Sequence, residues 1–376
     1  MAAVDGSIDT LGYDRTTLPP PSVVHIGVGN FARAHFGAYH HALLRAQAAA
    51  AAASSGEEGK VCGRRWGGIL GLGLLPSDAA MAADLASQGH LYSLVTRSLP
   101  PVGDDGDGGD GGGGVGDGDS GIFTYTPIGS FVGMLHAPAD PAAAVTALAD
   151  PAVRLVTLTV TEKGYHTLPG GAGLDWAHPD VAADVADPAR PVTAAGYLLA
   201  AVRARRAAGT DPFTVLSCDN VPANGAVLAA AVVALARRHE QDAVATAAAS
   251  ASGTAATTPP WGVVKAGLAD WLAGGGVHFL CSMVDRITPV TTAADIAFVR
   301  ARWGVADARP VLCEPYTQFV VEEPPTGANA HADGAAADLL PPWPREAGVA
   351  VVPRRVVEAY ELLKIRLLNV PHSALS

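Results

Sequence analysis

The chain has 376 residues, of which 49% are hydrophobic and 16% charged, and its formal net charge is −11. This length is enough to bury a large core and suggests about two domains. No long cluster of lysine and arginine occurs, which argues against a nucleic-acid-binding protein. We find no apolar run that resembles a membrane span and no signal peptide at the first residues.

The cysteines lie far apart in the sequence and form no C-x-x-C pair. They stand at Cys62, Cys218, Cys281 and Cys313. This spacing excludes a zinc ribbon and a dense disulfide framework. We therefore expect reduced, mostly buried thiols in a reducing compartment, the cytoplasm.

Apolar strands and helical segments alternate along the chain. A buried strand from Val23 to Ile26 is followed by a glycine turn and a helix. Further apolar runs that end in polar residues predict strands within 66–78, 91–98, 153–165 and 212–222. Helices are predicted between them, for example within 139–149 and 194–209. This alternation predicts an α/β fold with a mostly parallel sheet, in which ligands bind beyond the carboxyl ends of the strands.

Four stretches of low complexity interrupt the pattern, at 47–60, 103–121, 246–260 and 326–338. Their composition cannot bury much apolar area, so we expect mobile surface loops. The stretch 103–121 consists almost entirely of glycine and aspartate and could also be a calcium-binding repeat. A single irregular copy favours the linker interpretation.

The turn after the first strand has the pattern of a dinucleotide site. In the sequence HIGVGNFA, Gly27, Gly29 and Ala32 match G-x-G-x-x-G/A between a strand and a helix. Gly27 would allow the tight turn, Gly29 the approach of a pyrophosphate, and Ala32 the close packing of helix on strand. Asn30 and Phe31 lie in the same turn and belong to the predicted cofactor site. The turn therefore predicts a Rossmann-like domain.

Asp78 is the candidate for binding the ribose hydroxyls of that cofactor. It ends the second predicted strand, and the alanine-rich stretch 47–60 explains why it lies further along than is usual. In this role it would repel a 2′-phosphate and favour NAD over NADP. The alternative is a turn aspartate that caps the next helix.

The segment YELLKIRLLNVPHSALS, residues 360–376, carries a second group of polar residues. If it is one α-helix, Glu361, Lys364, Asn369 and His372 lie on one flank at about 100° per residue. A lysine can act as a general base, and an asparagine amide can donate to a developing alkoxide. The alternative is an ordinary solvated helix face.

Several long segments, taken together, resemble the polyol-specific long-chain dehydrogenases, the family of mannitol 2-dehydrogenase and fructuronate reductase. In chain order they lie at 23–35, 71–94, 157–166, 213–225, 282–292, 311–323 and 360–375. The resemblance implies a Rossmann-like domain at 22–345, which contains the four low-complexity stretches, followed by the beginning of a helical carboxyl-terminal domain at 346–376.

The resemblance also implies roles for individual residues. Lys364 would be the general base, and Asn369 with Asn220 would form the oxyanion hole. His372 would orient the substrate hydroxyls. The polyol chain would contact Val284 and Asp285. The proton released from the substrate would leave along Glu162 and Glu361. The family uses no zinc.

The implied activity is NAD-dependent interconversion of D-mannitol and D-fructose by a monomer, with a small-molecule substrate and neither a nucleic acid nor a membrane as partner. Fructuronate reduction is the close alternative, towards which the sequence TEKGY and the position of Cys281 lean. An alternative of another class is a catalytically inactive, truncated nucleotide-binding protein.

Two departures from the family pattern bear on these roles. Relatives carry small residues where this chain has Val370 and Pro371, and a proline should kink the helix between Asn369 and His372. Relatives also continue well past residue 376, so we expect a shortened family member whose apolar Leu363, with Leu367 and Leu368, is partly exposed.

Overall fold

The computed structural model describes residues 2–53, 64–98, 121–169, 173–251, 267–325 and 339–369. The strands are β1 (Ala2–Ala3), β2 (Val23–Ile26), β3 (Ile69–Gly73), β4 (Tyr92–Ser98), β5 (Ile122–Ile128), β6 (Phe131–His136), β7 (Leu155–Leu158), β8 (Thr214–Ser217), β9 (Phe279–Leu280), β10 (Ser282–Asp285), β11 (Val305–Ala306), β12 (Val311–Cys313), β13 (Gln318–Glu322) and β14 (Val349–Val352).

The α-helices are α1 (Ile8–Leu11), α2 (Asn30–Ala34), α3 (Phe36–Ala53), α4 (Asp78–Ser87), α5 (Pro141–Ala149), α6 (Pro179–Ala186), α7 (Ala194–Ala208), α8 (Asn224–Ala251), α9 (Leu268–Trp271), α10 (Ala293–Trp303) and α11 (Arg354–Leu363). Short 3₁₀-helices span Arg15–Thr17, Glu162–Tyr165 and Arg345–Ala347, and π-helical turns span Leu272–Gly276 and Lys364–Asn369.

The central sheet is parallel throughout the part of the chain that is described, in the order β6-β3-β2-β7-β8-β9. This is the doubly wound order of a Rossmann domain, whose direction of winding reverses between β2 and β7. The predicted α/β class and mostly parallel sheet are therefore confirmed. Each segment that was predicted to hold a strand does so: β2, β3, β7 and β8 belong to this sheet, and β4 lies outside it. The carboxyl ends of β2 and β7 meet at the switch point.

The sheet is covered on both faces, which explains why its strands are continuous apolar runs. Side chains alternate along β2, so that Val23 packs with Phe36 and Leu43 of α3 while Val24 faces the opposite layer. That opposite layer contains α5, α7 and α8, and Leu198 of α7 is fully buried within it. Both layers hold the strand ends in fixed positions.

A second sheet carries part of the candidate site. In it, β13 pairs antiparallel with β10 and parallel with β14. The strand β10 follows β9 directly, and Ser282 Oγ at its start donates to the Ser217 carbonyl oxygen at the end of β8 over 2.6 Å. Val284 and Asp285 are thereby brought to the carboxyl edge of the parallel sheet.

Two low-complexity stretches are helical where they are described. Residues 47–53 continue α3, and residues 246–251 continue α8. The expectation of loops at these residues is wrong because alanine has the highest helix propensity and extends a helix that is already nucleated. The rest of these stretches, with 103–120 and 326–338, lies outside the described residues.

The single α-helix considered for residues 360–376 is not found up to residue 369, where the described part ends. The helix α11 begins at Arg354 and ends at Leu363, and Lys364–Asn369 form a π-helical turn with a different angle per residue. The strand β14 and the helix α11 both follow the predicted domain boundary at 345, and that division of the chain stays a prediction. Leu363 is 52% exposed, and the side chains of Leu367 and Leu368 lie outside the described part.

The thiols of Cys218, Cys281 and Cys313 are free and buried, which agrees with the predicted reduced state, and Cys62 lies outside the described residues. Within the described ranges, none of the helices has both the length and the apolar character needed to cross a bilayer.

Candidate active site

The glycine turn lies at the carboxyl end of β2, next to the switch point. Gly27 adopts φ +90°, and a Cβ atom there would lie 2.2 Å from the Thr159 carbonyl oxygen, so this position requires glycine. Its N–H donates to the Leu72 carbonyl oxygen over 2.9 Å. Gly29 is exposed, and a Cβ built on it would meet no atom of the described chain within 4 Å. The turn therefore has no room for a side chain at Gly27 and has free space beside Gly29.

A buried chain of hydrogen bonds supports this turn. Thr159 Oγ1 donates to the Gly27 carbonyl oxygen over 2.6 Å and lies 2.9 Å from Nε2 of His25. Since the single Thr159 hydroxyl proton goes to Gly27, the ring of His25 must donate from Nε2. Its Nδ1, 2.6 Å from Thr157 Oγ1, then accepts in the neutral ring. Burial lowers the pKa of His25 to about 3, which agrees with a neutral imidazole.

The other predicted cofactor residues of the turn have structural contacts. The Asn30 amide donates to the Pro289 carbonyl oxygen (2.9 Å) and to Thr291 Oγ1 (2.8 Å), which links the turn to the loop after β10. Phe31 stacks on the His35 ring with centroids 4.9 Å apart. Ala32 is fully buried, as close packing of helix on sheet requires. The turn is therefore joined to the loop that follows β10.

Asp78 lies at the carboxyl edge of β3, beside the glycine turn. Its Oδ2 accepts a hydrogen bond from the Leu75 N–H over 2.9 Å, which closes the turn that leads into α4. The cap residue Ser77 makes no side-chain capping bond. Among the described residues no donor reaches the second carboxylate oxygen, Oδ1. The local turn role and a ribose-binding role are thus compatible.

The predicted lysine lies in a small cavity at the same edge of the sheet. The cavity has a volume of about 110 Å³ and is lined by Asp219, Asn220, Val221, Pro222, Ser282, Met283, Val284, Glu361, Lys364 and Ile365. These residues come from the segment after β8, from the strand β10, from the end of α11 and from the start of the π-helical turn. Four of the predicted catalytic and substrate residues therefore share one cavity.

Two acceptors on β10 hold the Lys364 side chain. Its Nζ donates to the Val284 carbonyl oxygen over 2.6 Å and lies 3.1 Å from Asp285 Oδ1. The side chains of Lys364 and Asp285 are only 10% and 18% exposed. Asp285 thus pairs with the lysine and not with its neighbour Arg286, whose guanidinium donates to the carbonyl oxygens of Ala34 and Glu314. The third position on Nζ remains open to a ligand, as an N–H in the protonated form and as the lone pair in the neutral amine.

Glu361 lies one helical turn before the lysine and lines the same cavity. Its carboxylate is 3.3 and 3.4 Å from the N–H of Ala223, a non-glycine residue at φ +51°. Burial raises the pKa of Glu361, and Glu358 raises it further, against the lowering effect of the Ala223 hydrogen bond. A carboxyl group with a raised pKa next to a candidate base is suited to proton transfer.

The remaining predicted residues are placed differently. Asn220 is exposed and lines the lysine cavity. Glu162 lines a separate cavity of about 600 Å³, and the two cavities have only Val221 and Pro222 in common. Asn369 ends the π-helical turn, but its side chain lies outside the described part. His372 and the predicted kink at Pro371 also lie outside it.

The sequence reasoning missed Asp219, which organises the strand ends. Its buried carboxylate accepts hydrogen bonds from the N–H groups of Val160 (3.2 Å) and Thr161 (2.7 Å) and from the Tyr165 hydroxyl (3.0 Å). Thr161 has φ +64°, a conformation that is costly without glycine and that these bonds stabilise. Burial raises the pKa of Asp219. Its position directly after a buried strand was the available signal.

Asn224 is the second residue that was missed. Its amide donates to the Asp219 and Ser282 carbonyl oxygens, both over 2.8 Å, and its Oδ1 accepts from the Ser282 N–H over 3.1 Å. It therefore fixes the two chain segments that form the walls of the lysine cavity. No motif in the sequence marks an asparagine for this role.

Three comparisons with known proteins identify the family of the chain and agree with its fold. Residues 127–332, more than half of the chain, match the family model of the mannitol dehydrogenase Rossmann domain. The chain is 38% identical to mannitol 2-dehydrogenase of Cereibacter sphaeroides over 98% of its own length and 61% of the relative's. It is 36% identical to that of Pyrenophora tritici-repentis (strain Pt-1C-BFP) over 94% of its length and 50% of the relative's.

Two solved structures are similar to the fold. The ternary complex of Pseudomonas fluorescens mannitol 2-dehydrogenase with NAD and D-mannitol matches with a TM-score of 0.70 and 32% identity, over 95% of this chain and 57% of that one. A substrate-free D-sorbitol dehydrogenase matches with a TM-score of 0.70 and 31% identity, over 96% and 59%. The chain thus spans between half and about three fifths of these relatives. It belongs to the mannitol dehydrogenase family.

Proposed function

We propose that the chain carries the cofactor site and the catalytic base of an NAD-dependent mannitol 2-dehydrogenase, which interconverts D-mannitol and D-fructose. The observation that supports this most is the placement of Lys364, whose Nζ is 2.6 Å from the Val284 carbonyl oxygen and 3.1 Å from Asp285. These contacts hold a single cationic or basic group at the carboxyl edge of a Rossmann sheet, where such folds bind their ligands.

The cofactor residues are proposed to be Gly27, Gly29, Asn30, Phe31, Ala32 and Asp78. The open space above Gly29 fits a pyrophosphate, which could approach the backbone there without meeting a side chain. The free oxygen of Asp78 would accept from a ribose hydroxyl and would disfavour the 2′-phosphate of NADP. NAD would supply the acceptor for the hydride that leaves the carbinol carbon.

Lys364 is proposed to take the hydroxyl proton as that carbon is oxidised. Asp285 and the Val284 carbonyl oxygen orient its Nζ towards the cavity, so the amine need not reorganise during the transfer. Asn220 and Asn369 would donate to the alkoxide oxygen as charge develops on it. Glu361, in the same cavity, would pass the proton on, and its raised pKa supports that role.

The remaining roles rest on the family resemblance. Val284, Asp285 and His372 are proposed to contact the substrate. Glu162 is proposed to lie further along the proton route, beyond Val221 and Pro222 that separate the two cavities. We also propose that the protein is a cytoplasmic monomer and that its two domains meet between residues 345 and 346.

A substrate panel tests this function. The purified chain should oxidise NADH with D-fructose, and should reduce NAD with D-mannitol faster than with D-sorbitol. D-Sorbitol is included because a D-sorbitol dehydrogenase is an equally similar structure. The panel also contains D-fructuronate, and NADPH is tested beside NADH as the hydride donor. Faster turnover of D-fructuronate or D-sorbitol would replace the mannitol assignment. NADH binding without turnover of any sugar would favour a nucleotide-binding protein without activity.

A further inference from the structure

A group of metal-binding side chains lies apart from the lysine cavity, around His166, His178 and Asp180. Each of the three offers one ligand atom, and these atoms all lie within 4.8 Å of one another. The two imidazole rings have centroids 4.3 Å apart at an interplanar angle of 52°. In the part of the chain that the structure describes, it is the one group of three or more histidine, cysteine or carboxylate side chains with this geometry.

We propose that His166, His178 and Asp180 bind one divalent transition-metal ion of the Zn²⁺ type. Two imidazoles and one carboxylate suit zinc and its neighbours, whereas Mg²⁺ and Ca²⁺ prefer oxygen ligands throughout. Three protein ligands leave a fourth tetrahedral position for water. The site lies apart from the lysine cavity, so it would add a metal ion to this chain without a part in the zinc-free chemistry that the family resemblance implies. It does not depend on the proposed function.

One of the three side chains carries an unpaired polar atom. Nδ1 of His166 is buried, yet it has no hydrogen-bond partner within the described residues. A buried nitrogen without a partner costs about 1–3 kcal/mol, so such atoms call for an explanation. A metal ion bound to this nitrogen would remove the cost.

The backbone holds the three residues in place before any ion binds. His166 adopts a left-handed conformation (φ +49°), and its carbonyl oxygen accepts from the Asp175 N–H over 2.8 Å. His178 is the cap residue of α6, followed by Pro179 at the first helical position. Asp180 lies in the first turn of the same helix. Only the side chains would need to move.

The required movement is small. Nδ1 of His178 lies 3.9 Å from Asp180 Oδ2, and the hydrogen bond that it accepts from the Asp180 N–H is long at 3.2 Å. In a tetrahedral zinc site with metal–ligand distances near 2.0–2.2 Å, ligand atoms are about 3.3 Å apart. His178 and Asp180 are partly exposed, so rotations of their side chains can close this difference.

The site would act on the segment that also supports Asp219. His166 follows the 3₁₀-helix Glu162–Tyr165, and Tyr165 donates its hydroxyl proton to Asp219. An ion that joins His166 to the start of α6 would tie this short helix to the rest of the domain. We therefore assign the ion a stabilising role.

Zinc titration of the untagged full chain, first stripped of metal, tests the site. The matched variants are His178→Asn, which keeps a capping acceptor, and His166→Asn, since asparagine tolerates the left-handed conformation. His90→Asn is the control because His90 is also left-handed (φ +62°) but lies outside the cluster. Isothermal calorimetry gives the stoichiometry, and the absorption of bound Co²⁺ reports tetrahedral nitrogen and oxygen ligands.

The wild type and His90→Asn should bind one equivalent of Zn²⁺ with the same affinity, and both cluster variants at least tenfold more weakly. Equal binding by wild type and cluster variants would overturn the site, as would a wild type that binds no zinc. If circular dichroism shows that His166→Asn does not fold, His178→Asn and Asp180→Asn decide the matter. Since the readout is metal binding, failure of this site is distinguishable from failure of the proposed dehydrogenase activity.

Discussion

Alanine in place of Gly29 tests the proposed cofactor turn with little effect on the fold. Gly29 has φ −85° and ψ −175°, which alanine adopts freely, and its Cβ would meet no atom within 4 Å. Replacing glycine by alanine restricts the unfolded chain and so stabilises the folded protein by about 0.4–1 kcal/mol. A comparable amount of stability is lost because alanine is a poorer residue than glycine at the N-cap of a helix. The free energy of unfolding should therefore change by less than about 1 kcal/mol.

The same methyl group would occupy the space that the pyrophosphate needs. We expect Gly29→Ala to bind NADH at least tenfold more weakly, a loss of at least about 1.4 kcal/mol. Gly27→Ala is the contrasting variant, because Gly27 has φ +90° and a Cβ there would lie 2.2 Å from the Thr159 carbonyl oxygen. The left-handed conformation alone costs alanine roughly 1–2 kcal/mol, so this variant should lose stability as well as binding.

The assay combines NADH fluorescence titration with urea unfolding of the wild type and both variants. Gly29→Ala should lose NADH affinity and keep its stability, whereas Gly27→Ala should lose both. An unchanged NADH affinity in a folded Gly29→Ala would refute the assignment of this turn to the pyrophosphate.

Three further predictions concern the groups around the strand ends. Thr159→Val removes the hydroxyl that binds both the Gly27 carbonyl oxygen and Nε2 of the buried His25, and should cost about 1–3 kcal/mol of stability; urea unfolding should show that Thr159→Ser, which keeps the hydroxyl, is close to wild type. Asp219→Asn can satisfy only some of the three donors around that carboxylate and should lower the free energy of unfolding by about 2–3 kcal/mol, whereas the exposed Asp9→Asn should not. Burial raises the pKa of Glu361 above its ordinary value of 4.5, so its native form holds a proton to higher pH than the unfolded chain does, and its contribution to stability is lost as pH rises through that window. As pH rises through the range above the ordinary carboxyl pKa, the wild type should therefore lose more unfolding free energy than Glu361→Gln. Glu346→Gln should follow the wild type, because Glu346 is exposed and does not line this cavity; parallel curves for wild type and Glu361→Gln would contradict the account.

The parallel sheet was predictable because its strands are buried on both faces. Strand β2 was predicted with its correct bounds, since Val23 to Ile26 is a short β-branched run followed by glycine. Gly27 could be assigned to a tight turn for the same reason. These features depend on local sequence, which a single chain displays directly.

Other features depend on contacts between distant segments and could not be derived from the sequence. Asp219 accepts from Val160 and Thr161, almost sixty residues away, and nothing near it in the sequence indicates this. The pairing of Lys364 with Asp285 is of the same kind. The π-helical turn that begins at Lys364 also departs from the α-helical periodicity on which the grouping with Asn369 was based. The approximate location of the candidate site was therefore predictable from the sequence, but the hydrogen-bond partners of its residues were not.

The most direct test of the central claim is hydride transfer from NADH to D-fructose by Lys364→Met, compared with Arg366→Met. Arg366 is an exposed cation on the same π-helical turn, so its loss controls for the change of charge and helix. We predict that Lys364→Met lowers kcat/KM by at least about a hundredfold and leaves NADH binding within about twofold. Arg366→Met should behave as the wild type does. Equal turnover by Lys364→Met and the wild type would contradict the assignment of Lys364 as the catalytic base.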